Sequence, residues 1–130
     1  MCIFCDIAEG KIPSSKIYED DKVIAFLDLS QVTKGHTLVV PKQHFDNFLT
    51  CDPEILAHLM QVAQTLGKHI MEKTGAKGMN ILSNLNEVAG QSIMHFHVHL
   101  IPRYSEEDAV QIVFHESEKQ DLDALKEQLQ

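Results

Sequence analysis

The sequence has no tryptophan, only three cysteines, and 11 lysines and arginines against 19 acids in 130 residues. Each shortage narrows the field. A net charge of -8 and a pI near 5.4 argue against a non-specific nucleic-acid binder, which needs a basic stripe. An anionic ligand would have to be held by backbone N–H groups, amides, hydroxyls and protonated imidazole rather than by an arginine cluster. No apolar run approaches the ~20 residues of a membrane helix, and the N-terminus lacks the basic and apolar regions of a signal peptide. The expectation is a cytoplasmic protein with no membrane and no nucleic-acid partner. An odd number of cysteines without a secretory signal points to free thiols or metal ligands rather than disulfides. No internal repeat or linker divides the chain, and its length suits one domain with a core of its own.

What the chain does have is Met94-His95-Phe96-His97-Val98-His99-Leu100-Ile101-Pro102. On a strand, side chains alternate between faces. His95, His97 and His99 would then share one surface while Phe96, Val98 and Leu100 enter a core. The outer two imidazoles would stand about 13 Å apart at ~3.3 Å per residue, roughly the length of a nucleoside monophosphate. A merely polar edge face is usually built from Thr, Lys, Glu or Ser. Three imidazoles in register are better explained by the handling of protons, metal or phosphate.

Upstream, Ile3, Phe4 and Ile7 fit one face of a helical turn that Gly10 should stop. Ile17-Tyr18 and Lys22–Asp28 read as a hairpin about the Asp20-Asp21 turn. His36–Pro41 reads as a buried strand, rich in β-branched residues, that Pro41 ends or places at an edge. Asp52-Pro53-Glu54 combines a capping side chain, a proline at the first helical position and an acid in the first turn. Apolar spacing carries that helix through Lys73 to a stop at Gly75, with His58 and His69 as surface or boundary residues. A strand over Met79–Ser83 and a polar loop lead to the histidines. The order predicts an α+β fold: an antiparallel five-stranded meander sheet with one long helix and a short N-terminal helix. Residues 1–104 would form the domain and 105–130 an acidic extension. In that extension Leu122, Leu125 and Leu129 have helical spacing, either against a partner subunit or as a solvated appendage.

The run His95–Ile101 resembles the His-φ-His-φ-His-φ-φ signature (φ apolar) of the histidine triad (HIT) family of nucleotide hydrolases and transferases. The resemblance covers roughly residues 2–104, including Phe26-Leu27-Asp28, Gly35–Lys42 and the Asn84–Ser92 loop. It implies a HIT-like fold, a homodimer and a purine nucleotide substrate cleaved at a P–N or phosphoanhydride bond. By position His97 would be the nucleophile, since an unprotonated imidazole nitrogen can form a covalent phosphoramidate that water later opens. His99 would hydrogen-bond the phosphate or help set its protonation, and His36 would orient the triad. Asn84, Gln91 and Ser92 match positions that contact phosphate oxygens or the bridging atom. Asp28 matches the acid that accepts both ribose hydroxyls. Ile3, Phe4, Ile7, Phe26 and Leu29 would form the slot for the base; taken alone they read more simply as core.

Cys2-x-x-Cys5 is half a zinc site by spacing and needs two more ligands. The resemblance supplies His44 and His95, as in some bacterial HIT proteins and the related galactose-1-phosphate uridylyltransferases, which implies a structural Zn2+. The alternative is a pair of reduced thiols, and Cys51 reads as a structural thiol. The chain lacks the Gly- and Trp-containing end of the eukaryotic Hint branch, continuing instead as Ile101-Pro102-Arg103-Tyr104 and an acidic tail, so the leaving group stays open. A dinucleoside polyphosphate hydrolase is the enzymatic alternative. A regulatory nucleotide-binding module with incidental turnover is the non-enzymatic one, and a metal-handling protein ranks last.

Overall fold

A computed structural model describes residues 2–130. The elements run α1 (Ile3–Ala8), β1 (Lys16–Glu19), β2 (Val23–Leu27), β3 (Thr37–Pro41), α2 (Pro53–Thr74), β4 (Gly78–Leu82), a 3-10 turn (Glu87–Ala89), β5 (Val98–Arg103) and α3 (Leu122–Leu129). The strands form one antiparallel five-stranded sheet, as the sequence suggested. Their order, β1-β2-β3-β5-β4, refines the expected meander. The long helix carries the chain past one position, so β4 takes the edge and β5 returns between β4 and β3.

Period-2 alternation in β2 and β3 splits the core into two layers. Val23, Ala25 and Val39 face α2, joining Leu59, Val62, Ala63, Leu66 and Ile70 from that helix. Ile24, Phe26, Leu38 and Val40 face the other way, onto Phe4 of α1. Both sides of the central strands are therefore dry. Each fully buried aliphatic side chain stabilises the fold by ~1.5–3 kcal/mol, and Leu59→Ala, at a site with no exposure, would cost about 2–5 kcal/mol.

The limits of α2 follow the sequence signals. Asp52 accepts the Ile55 N–H, Pro53 opens the helix, and Gly75 closes it in the left-handed region at φ 72°. His58 lies at the boundary, half-buried, with Nε2 2.6 Å from Asp20 Oδ2, while His69 is exposed. Among the described residues no helix is long and apolar enough to cross a membrane.

The histidine run corrects one expectation. Regular pairing begins only at Val98, so His95 and His97 precede the strand rather than lying within it. The alternation survives: Phe96, Val98 and Leu100 all enter the α2-side core. His99, paired with Leu38, faces the α1 side.

Candidate functional site

The α1 face of the sheet carries the chemistry. His97 is 6% exposed and forms part of the wall of a cavity of about 220 Å³ that also reaches Asp28 and His99. Larger grooves of about 560 and 640 Å³ touch neither His97 nor His99, although the second shares Ile3, Ile12, Ser92 and Ile93 with this cavity. His97 Nδ1 donates to its neighbour's backbone, the His95 carbonyl, at 2.7 Å. That bond places the proton on Nδ1 and leaves Nε2 as a lone pair with no protein partner among the described residues. Burial pushes the His97 pKa down, more than the His95 carbonyl and the Asp28 charge raise it, so the ring is neutral at neutral pH. Phe4 holds it edge-on, with centroids 5.1 Å apart.

His99 stands beside it, ring centroids 5.0 Å apart. Burial lowers its pKa to about 4, with the neighbouring His97 and His36 adding to the effect. A neutral His99 accepts at Nδ1 from His36 Nε2, 2.9 Å away, and so keeps its hydrogen on Nε2. Asp28 Oδ2 lies 3.7 Å from the same His36 nitrogen and favours the hydrogen there. His36 Nδ1 is buried without a partner among the described residues.

The hairpin loop that positions Asp28 is laced by Gln31. Its Nε2 donates to the carbonyls of Asp28 (2.6 Å) and His36 (2.7 Å), and its Oε1 accepts the Gly35 N–H (2.8 Å). Asp28 Oδ1 accepts the Ser30 N–H, leaving Oδ2 the freer oxygen. Nothing in the sequence marked Gln31 beyond its place in a polar loop. Gly35 is required by its φ of 96°, and a Cβ there would come within 3.2 Å of the Pro102 side chain.

Phe4, Ile7 and Phe26 line the cavity, with Phe4 and Phe26 4% exposed. Ile3 and Leu29 stand at its rim, 45% and 99% exposed. Ser92 joins the wall. Asn84 and Gln91 do not. Asn84 Nδ2 points back to the Gly90 carbonyl at 3.4 Å. Gln91 is 2% exposed and wholly engaged: Nε2 donates to the carbonyls of Asp46 (2.7 Å) and Ile93 (3.1 Å), and Oε1 accepts the Asn86 N–H (2.8 Å). It holds Asn86 at a positive φ of 70°, a structural task that family position could not foretell.

On the far side of Phe4, four ligand atoms converge. Cys2 Sγ lies 3.1 Å from His95 Nδ1, and Cys5 Sγ lies 3.4 Å from the same nitrogen and 3.5 Å from His44 Nδ1. On a tetrahedral zinc with Zn–S ~2.3 Å and Zn–N ~2.0–2.1 Å, sulfur and nitrogen would stand roughly 3.5 Å apart. Both imidazoles spend Nε2–H on an acceptor, His95 on the Pro41 carbonyl (2.8 Å) and His44 on Asp46 Oδ1 (3.0 Å), so both offer Nδ1 as a lone pair. Burial pushes the Cys5 thiol up to about 11, with Cys2 adding to it; a bound cation would displace that proton. The donor set fits zinc. His95 therefore belongs to this cluster and turns away from the cavity that His97 and His99 share.

A family model described as HIT domain matches residues 9–106. An uncharacterized HIT-like protein of Methanocaldococcus jannaschii is 46% identical over 129 residues, covering 98% of both chains. The crystal structure of a HIT family protein from Bacillus anthracis superposes with a TM-score of 0.91 at 43% identity, covering 98% of this chain and 94% of that one. A zinc-bound histidine triad family protein from Mycobacterium smegmatis superposes with a TM-score of 0.78 at 35% identity, covering 84% and 79%.

Proposed function

The chain belongs to the HIT family, and from that premise we propose that it cleaves a P–N or phosphoanhydride bond in a purine nucleoside 5′-phosphate derivative, of the adenosine phosphoramidate type. The observation that supports this most is His97: a neutral ring whose Nδ1–H is fixed on a carbonyl and whose Nε2 lone pair is free at a cavity wall. An attacking nitrogen needs that tautomer.

In the first step the Nε2 lone pair forms an N–P bond while the bond from phosphorus to the leaving nitrogen or oxygen breaks. The leaving atom takes the bonding pair and a proton from solvent, while the neutral His99 donates its Nε2–H as a hydrogen bond to a phosphate oxygen. In the second step water forms an O–P bond as N–P breaks, its proton passes to solvent, and the nucleoside monophosphate leaves. Asp28 Oδ2 accepts the ribose hydroxyls, and Phe4, Ile7 and Phe26 hold the base, with Ile3 and Leu29 at the mouth. Ser92 meets phosphate. His36 is a positioning residue, acting through His99 and Asp28.

Cys2, Cys5, His44 and His95 would hold a structural zinc. Bound there, the ion supplies a crosslink between α1 and the segment before β5. Residues 1–104 would carry this chemistry as a homodimer in the cytoplasm, with 105–130 as an extension. The test is to mix protein with labelled substrate, quench in denaturant and look for nucleotide covalently held. Wild type should trap it at His97, and His97→Ala should trap none and turn over at least about 1,000-fold more slowly. A fully active His97→Ala defeats the scheme. Comparing rates on a nucleoside phosphoramidate and a diadenosine polyphosphate identifies the leaving group.

A further inference from the structure

The turn from Thr33 to His36 leads into β3 and delivers the His36 ring. The His36 N–H returns to the Thr33 carbonyl at 3.1 Å, which closes the turn. The Lys34 carbonyl receives Tyr104 Oη (2.6 Å), and the Gly35 carbonyl receives Thr37 Oγ1 (2.8 Å). The His36 carbonyl receives the Asp28 N–H (3.0 Å) and Gln31 Nε2 (2.7 Å). Every carbonyl of the turn therefore already has a donor. The turn is also covered: a Cβ at Gly35 would lie 3.2 Å from the Pro102 side chain and 3.5 and 3.6 Å from those of Thr74 and Ile70.

Two side-chain atoms of this turn remain unmet. Thr33 Oγ1 and His36 Nδ1 are buried, in residues 7% and 4% exposed, and neither has a hydrogen-bond partner among the described residues. No other buried side-chain nitrogen or oxygen among the described residues is left so. Unmet buried polar groups are costly, and these two stand at opposite ends of one turn. Their chemistries are complementary. Nε2 of His36 faces His99 Nδ1 at 2.9 Å and Asp28 Oδ2 at 3.7 Å, and a hydrogen there leaves a lone pair on Nδ1 of the neutral ring. Thr33 carries a hydroxyl donor, and no carbonyl of the turn is waiting for it. The two atoms do not bond directly, so what joins them has to accept from one and donate to the other.

We propose that Thr33 is a positioning residue whose hydroxyl holds one buried water, and that this water donates to His36 Nδ1. A buried water needs at least two polar partners, and the two unmet atoms supply them. His36 then keeps its hydrogen on Nε2, His99 accepts it at Nδ1, and the Nε2–H of His99 stays directed at phosphate. The effect on turnover rests on the proposed reaction; the tautomer of His36 does not.

The experiment combines nitrogen NMR of the full, zinc-loaded chain carrying isotope-labelled histidine with steady-state kinetics on a nucleoside phosphoramidate. Wild type, Thr33→Val and Thr33→Ser are compared, and the His36 signals are those lost in His36→Gln. In wild type Nε2 should carry the hydrogen and Nδ1 should resonate as an accepting nitrogen. Thr33→Val keeps the shape without the hydroxyl. It should move Nδ1 toward the position of a bare lone pair and lower kcat about 3- to 10-fold, with KM within about twofold, the order expected for one neutral hydrogen bond. Thr33→Ser should return both toward wild type. An Nδ1 signal that Thr33→Val leaves in place, a moved signal with kcat unchanged, or no recovery in Thr33→Ser overturns the proposal and leaves the reaction standing. If wild type turns over no nucleotide derivative, the functional reading fails instead, and the Nδ1 signal alone decides whether Thr33 sets the ring. A crystal structure of wild type gives a test without variants. An ordered water within hydrogen-bond distance of both Thr33 Oγ1 and His36 Nδ1 is expected, and Nδ1 bonded to any other group overturns the assignment.

Discussion

The backbone carbonyl of His95 lies 2.7 Å from Nδ1 of His97, while the ring of the same His95 turns its own Nδ1 toward Cys2 and Cys5. One residue thus sets the tautomer of the proposed nucleophile with its main chain and offers a metal ligand with its side chain. Phe4, between the two cysteines, packs edge-on against both imidazoles.

Removing the metal should therefore disturb chemistry more than binding. In zinc-depleted protein, or in Cys5→Ser, kcat should fall about 10- to 100-fold, and KM should rise by less, since the loosened α1 also carries Phe4 and Ile7 of the cavity wall. Elemental analysis alongside steady-state kinetics measures both halves. Unchanged kcat in metal-free protein would count against the coupling.

Gln31→Ala should act in the opposite sense. Without its three hydrogen bonds the Asp28 loop loosens, and with each bond worth ~1 kcal/mol the ribose contact weakens. Steady-state kinetics should show KM raised about 3- to 10-fold while kcat stays within about twofold.

Acid should unfold the protein early. His99 has a folded pKa of about 4 against an ordinary 6.5, because burial disfavours its charge. The unfolded chain then binds more protons between those values, so stability is full above pH 6.5 and is lost as pH falls toward 4. Burial shifts His97 the same way. Calorimetry should find a melting temperature lower by several degrees at about pH 4.5 than at about pH 7, and His99→Gln should flatten part of that slope.

Asp20 joins β1, β2 and α2. It accepts from Tyr18 Oη (2.7 Å), the Lys22 and Val23 N–H groups (both 2.8 Å) and His58 (2.6 Å). Burial pushes its pKa upward, but those donors outweigh it and hold the carboxyl well below the usual range. Asp20→Ala should cost about 2–3 kcal/mol by leaving partly buried donors unmet, and His58→Ala roughly 1 kcal/mol, both read from denaturant unfolding.

Local rules made much of this molecule legible. The Asp52-Pro53 start and Gly75 stop of α2 are short-range chemistry, and so is the alternation that sends Phe96, Val98 and Leu100 inward. What escaped depends on contacts distant in sequence. The return of β5 between β3 and β4 is set by how α2 crosses the sheet. The Asp20–His58 pair spans 38 positions. Gln91 and Asn84 were assigned by family position, yet the bonds they make are to backbone, and only coordinates reveal which polar groups are already engaged. The resemblance brought Cys2, Cys5, His44 and His95 together when spacing offered only the cysteine pair. The geometry places them within reach of one ion.

Pro41 closes β3, and its carbonyl receives His95 Nε2–H at 2.8 Å. A central strand of the sheet and the donor cluster thereby share an atom. Fraying at that end of β3 would release the imidazole, and withdrawal of the ion would free the carbonyl. Cation affinity and resistance to unfolding are then coupled, and titrating one will report on the other.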